Sequence, residues 1–161
     1  MRKVCVVTGT RAEYGLFYSL LLKIRETPAL QLQLVASTMH LAPEFGNTIE
    51  QIERDGFAVD AKIENLLAAD SKTAVAKSAG LALMLLSDAF ERLRPDVVAV
   101  LGDRFETHAA ATAAMLMNIP IAHLYGGELT EGAVDEQIRH SISKMAYLHF
   151  TSTEVYRWRS S

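Results

Sequence analysis

The sequence predicts an α/β fold, a Rossmann-like parallel sheet with helices on both faces. Two short valine-rich runs, KVCVVT at residues 3–8 and VVAVL at residues 97–101, have the near-continuous apolar pattern of strands buried on both faces. Strand-like runs alternate along the chain with stretches whose apolar residues recur at helical spacing. Such alternation implies parallel pairing through right-handed crossovers. It also places ligands beyond the carboxyl ends of the strands.

Each element has its own signal. After the first strand, Gly9-Thr10-Arg11 makes a turn. A helix over residues 12–27 follows, with Phe17, Leu20, Leu21 and Ile24 on one face and Pro28 closing it. Residues 30–37 read as strand two. Residues 43–55 read as a short helix ended by Gly56, and residues 57–63 alternate as strand three. A loop at 65–71 precedes the longest helix, residues 72–93. One of its stripes is Val75, Ala79, Leu83, Leu86, Phe90 and Leu93, and a second includes Leu81, Met84 and Leu85. A helix apolar on two sides needs two partners. One is the sheet; the other is a second subunit or an absent domain, unless this is simply a well-covered central helix. Pro95-Asp96 breaks this helix ahead of strand four at 97–101. An alanine-rich helix over 104–118 and strand five over 120–124 come next. A helix over about 133–147 turns Val134, Ile138, Ile142 and Met145 inward, and a sixth strand covers 148–151. Residues 152–161 begin another helix.

Composition narrows the class. The 161 residues are half apolar and 22% charged, as in a soluble globular domain. A net charge of −3 with no basic stripe argues against a nucleic-acid partner. The single cysteine, Cys5, excludes an internal disulfide and fits a reducing compartment. The apolar run at 4–7 is far too short for a signal or membrane segment, so a cytoplasmic location is the expectation.

Three loops follow strand carboxyl ends. In the first, Thr8-Gly9-Thr10-Arg11 lacks both a dinucleotide fingerprint and a Walker lysine. What remains is a glycine turn, a helix N-terminus and Arg11, which suit an anionic group; a surface role for Arg11 is the plainer alternative. In the second, Gly102-Asp103-Arg104-Phe105-Glu106, Asp103 is either a helix N-cap or an active-site acid. The third, residues 123–140, concentrates the polar groups of the chain. Asp135 and Glu136 fall in a first helical turn, where carboxylates favour the dipole. They also form i, i+4 pairs with Arg139 and His140, which offers a base and an anchor. His123, ending an apolar strand, reads as a hydrogen-bonded structural histidine. His40, His108 and His149 are scattered and make no metal set.

Several segments in order carry a family resemblance: residues 8–15 (TGTRAEYG), 102–106 (GDRFE), 118–120 (NIP), 123–128 (HLYGGE), 135–144 (DEQIRHSISK) and 149–154 (HFTSTE). Together they resemble the hydrolysing UDP-N-acetylglucosamine 2-epimerases of sialic- and legionaminic-acid synthesis, over essentially the whole chain. The resemblance implies a glycosyltransferase-B-type fold, of which this chain matches the amino-terminal Rossmann-like domain, with a second, nucleotide-gripping domain missing. It implies elimination of UDP to a 2-acetamidoglucal and hydration to N-acetylmannosamine, with no cofactor. It also implies a homo-oligomer and little activity from this piece alone. By resemblance, Asp103 and Asp135 match active-site acids, with Glu136 and Glu128 as further carboxylates. Arg11, Arg104, Tyr125, Arg139 and His140 match substrate-binding positions. One departure stands out: many sialic-acid relatives carry glutamate where this chain has Tyr125. A phenol, with an ordinary pKa of about 10, does not simply replace a carboxyl. The change marks either a different sugar, such as UDP-N,N′-diacetylbacillosamine, or a redistributed acid–base role. A non-catalytic nucleotide-sugar-binding domain is the alternative of another class.

Overall fold

A computed structural model describes residues 1–67, 70–125 and 134–151. Six strands, β1 (Arg2–Thr8), β2 (Leu30–Ser37), β3 (Ala61–Ile63), β4 (Val97–Leu101), β5 (Ile121–Leu124) and β6 (Leu148–Phe150), form one sheet in the order β3-β2-β1-β4-β5-β6. Every pairing is parallel. The order reverses between β1 and β4, so the crevice at their carboxyl ends is the topological switch point.

The strand period sorts the core into two layers. Cys5 and Val7 point into the face covered by α3 (Lys72–Leu93), α4 (Phe105–Leu116) and α5 (Asp135–Met145), whereas Val6 between them points to the opposite face. That face is covered by α1 (Arg11–Glu26), through Tyr14, Phe17, Leu21 and Ile24, and by α2 (Ile49–Arg54), through Ile52. Five alanines of α4, Ala109, Ala110, Ala111, Ala113 and Ala114, are almost fully buried. Their small side chains let α4 lie close to the sheet between α3 and α5.

Some expected elements differ. Residues 43–55 are not one helix. Two 3₁₀ turns, Thr38–Leu41 and Pro43–Phe45, end at Gly46 with φ +86°, and only Ile49–Arg54 is α-helical. A left-handed residue at position 46 stops the turn before a helix can propagate. Strand three is shorter than the alternation implied, because Asp60 takes the Leu34 pairing site twice. Its side chain accepts from Leu34 N–H at 2.7 Å, and its own N–H donates to the Leu34 carbonyl at 2.8 Å. In α3 the buried stripe is Ala74, Ser78, Ala82, Leu86, Phe90 and Leu93, one residue out of phase with the expected Val75 and Ala79 at its start; Val75 is exposed. The helix is long and apolar enough to span a membrane by length and composition, yet this stripe packs in the core. At α5, Ile142 is fully buried, Ile138 and Met145 pack partly, and Val134 is exposed at the cap position.

Candidate active site

The loops after β1 and β4 meet at the switch point. Thr10 caps α1, its hydroxyl accepting from Glu13 N–H at 3.2 Å. The Glu13 carboxylate reaches back and accepts from Gly9 N–H at 2.7 Å, completing a capping box displaced by one residue. Burial pushes the Glu13 carboxyl up to about 7. The Gly9 hydrogen bond opposes that rise, and the charge of Glu106 adds to it. Arg11, the first residue of α1, is exposed and makes no ion pair among the described residues.

After β4 the chain turns through Gly102, at φ +82°, where a side chain would be strained. Asp103 is not the cap of the next helix. Arg104 occupies that position, without a side-chain cap, and Asp103 is free to pair with Arg139 from α5. Arg139 is 5% exposed, and the Asp103 side chain keeps an open edge. A carboxylate paired with a buried guanidinium is fixed in direction. Arg104 donates from Nε to Glu106 Oε1 at 2.6 Å, with Glu106 only 1% exposed. Burial alone would lower the arginine's affinity for its proton; Glu106, Glu13 and Asp135 together outweigh it and hold the charge on Arg104.

Asp135 opens α5 and is exposed within the field of Arg104. The expected Asp135–Arg139 pair is thus replaced by Arg139–Asp103 across the fold. The Glu136–His140 pair does form, at 3.6 Å and half-exposed, where it contributes little energy. Tyr125 ends β5 in the left-handed region, φ +58°, its N–H bonded to the Phe150 carbonyl. Glu128 lies outside the described residues. His123 is buried, as the sequence implied. Its Nε2 lies 2.9 Å from the Gly102 carbonyl and its Nδ1 3.1 Å from Ser143 Oγ. A carbonyl only accepts, so Nε2 carries the proton and Nδ1 accepts from the serine. Burial pushes this histidine down to about 4, so it is neutral.

An open groove of about 810 Å³ runs from the start of α3, at Asp70 and Lys72, past Arg104 and His108 to Asp135. The start of α3 was not among the residues expected at the site. Among the described residues no three His, Cys, Asp or Glu side chains come together to hold a metal ion. Sequence reasoning also passed over Glu13 and Glu106. Their signal was present: both loops read Gly-x-Arg-x-Glu, as Gly9-Thr10-Arg11-Ala12-Glu13 and Gly102-Asp103-Arg104-Phe105-Glu106.

The comparisons with known proteins agree with this architecture. Residues 22–159 match the family model described as UDP-N-acetylglucosamine 2-epimerase. The chain is 51% identical over 98% of its length to a Campylobacter jejuni protein named GDP/UDP-N,N′-diacetylbacillosamine 2-epimerase (hydrolyzing). It is 45% identical over 99% to an Escherichia coli polysialic acid biosynthesis protein P7. It spans only 41% of the length of each of these relatives. The fold matches that of UDP-GlcNAc 2-epimerase from Neisseria meningitidis bound to UDP-GlcNAc, with a TM-score of 0.85 at 23% identity over 98% of this chain and 42% of that one. The chain therefore belongs to the UDP-N-acetylglucosamine 2-epimerase family, with the Rossmann-like, glycosyltransferase-B-type architecture of those enzymes.

Proposed function

We propose that this chain is the amino-terminal half of a hydrolysing UDP-sugar 2-epimerase. The observation that carries the reading is Asp103, held in place by Arg139 at the carboxyl end of β4 beside the switch point. Asp135 and Arg104 line the same groove, and Arg11 opens α1 after β1. One carboxylate removes the proton at C2 as the C1–O bond breaks and UDP departs, leaving a C1=C2 double bond. Water then adds its oxygen at C1, and a carboxyl returns a proton to C2 from the other face. The sum is UDP-sugar plus water giving UDP and the C2-inverted free sugar. Asp103 and Asp135 are assigned the acid–base steps, with Glu136 and Glu128 in support. Arg11, Arg104, Arg139, His140 and Tyr125 hold the substrate.

The sugar we favour is UDP-N,N′-diacetylbacillosamine. The name of the 51%-identical relative and the tyrosine at position 125 both favour it. UDP-N-acetylglucosamine, giving N-acetylmannosamine, is the second reading, favoured by the family model and by the ligand of the Neisseria structure.

The test offers both UDP-sugars to the full-length gene product and follows UDP and free sugar by NMR. Release of the C2-inverted sugar is expected, faster from the diacetamido substrate. Asp103→Asn and Asp135→Asn are each expected to lower kcat by 100-fold or more, the scale of a lost acid–base group. Full turnover in both variants would remove the site assignment. Binding of UDP-sugar without release would point to a non-catalytic domain.

A further inference from the structure

We infer that Glu106 is a positioning residue for Arg104. This buried carboxylate thereby aims one cation, the Arg104 guanidinium, at the anionic leaving group. The inference rests on the proposed reaction and adds a residue to it.

The geometry is specific. Glu106 enters from the first turn of α4, is 1% exposed, and takes Arg104 Nε at 2.6 Å. A bond through Nε fixes the plane of the guanidinium and leaves its two terminal nitrogens for another anion. Arg104 itself stays partly open on the groove that also reaches Asp135. Glu106 Oε2 is buried and has no hydrogen-bond partner among the described residues. Burying a carboxylate with one oxygen unmatched is costly, and an apolar residue would pack there at lower cost. The carboxylate is therefore poorly explained by stability and well explained by the arginine it holds.

The loop after β1 is built around the same carboxylate. A Cβ on Gly9 would stand 2.6 Å from Glu106 Oε1 and 2.9 Å from its Cγ, so only glycine lets the β1 turn close over Glu106. The Gly9 N–H is in turn held by Glu13, two residues beyond Arg11. The two loops thus interlock, and each glutamate fixes an element next to an arginine.

The decisive experiment is a double-mutant cycle in the full-length gene product, reading kcat/KM for UDP-sugar hydrolysis. Glu106→Gln keeps the volume and is expected to lower kcat/KM tenfold or more. In an Arg104→Ala background it is expected to change kcat/KM by less than twofold, because the arginine it positions is gone. Equal losses in the two backgrounds would mean that Glu106 acts only through the fold, and the inference falls. A second measurement needs no glutamate variant. In the 161-residue chain, the Arg104 Nε–H resonance, assigned by its loss in Arg104→Lys, is expected to exchange slowly with water. Exchange as fast as that of exposed Arg11 overturns the inference. If the full-length product hydrolyses neither UDP-sugar, the proposed reaction fails, and the NMR measurement still decides whether Glu106 anchors Arg104.

Discussion

The loops after β1 and β4 share the spacing Gly-x-Arg-x-Glu but use it in opposite ways. In the first, the residue after glycine is Thr10, which caps α1, and the glutamate is spent on the Gly9 N–H. Arg11 makes no ion pair among the described residues and stands exposed. In the second, Arg104 occupies the cap position and is itself held by the glutamate, and the residue after glycine is released to pair with Arg139. One loop uses its polar groups to close a turn. The other uses them to hold charged side chains in fixed directions. Identical spacing thus predicts position on the rim but not role. The role depends on which neighbour supplies the helix cap.

Removing the partner of a fixed charge should give the largest effect. Arg139→Ala leaves Asp103 partly buried and unpaired and is expected to cost about 3 kcal/mol in urea unfolding. Arg11→Ala, at the exposed arginine of the other loop, is expected to stay within about 0.5 kcal/mol. Equal losses would erase the distinction between the loops.

The pH dependence of Glu13 sharpens it next. The folded carboxyl has a pKa near 7, above its ordinary value of 4.5. A raised acid favours the folded state while protonated, so its contribution is complete below about pH 4.5 and is lost as pH rises through 7. The loss amounts to about 3 kcal/mol at most. Glu13→Gln should flatten the fall in stability between pH 5 and 8 relative to the parent. A slope unchanged by the substitution would place the titrating group elsewhere.

The two glycines give the smallest and most diagnostic contrast. Gly9→Ala is expected to cost about 2 kcal/mol by overpacking against Glu106, and Glu106→Ala in the same chain should relieve most of it. Gly102→Ala is expected to cost about 1 kcal/mol through its positive φ. Nothing lies within 4 Å of the added carbon, so no truncation nearby should rescue it. Rescue at both positions, or at neither, would contradict the separate causes assigned to them.

How far the sequence reaches follows the range of the forces involved. Residues 30–37, 72–93 and 97–101 were bounded correctly, because apolar period and capping residues act within a few positions. The segment 43–60 was misread, since its outcome turns on Gly46 at a positive φ and on Asp60 competing for Leu34. At the site, Glu136–His140 was legible as neighbours on one helix, whereas Arg139–Asp103 joins residues 36 positions apart. For Asp103 the sequence left a cap and an active-site acid both open, because aspartate favours caps. The tertiary ion pair outcompeted that preference, which is a matter of about 1 kcal/mol.

His123 links the two halves of the rim mechanically. One ring nitrogen holds the Gly102 carbonyl, next to Asp103, and the other holds Ser143, one turn beyond Arg139 in α5. The β4 turn and α5 are therefore coupled through a single neutral imidazole as well as through their ion pair. A ligand that pulls Asp103 aside must either carry α5 with it or stretch a hydrogen bond to that ring. The nitrogen shifts of His123 become a strain gauge sealed inside the domain, which registers occupancy of the cleft without touching what occupies it.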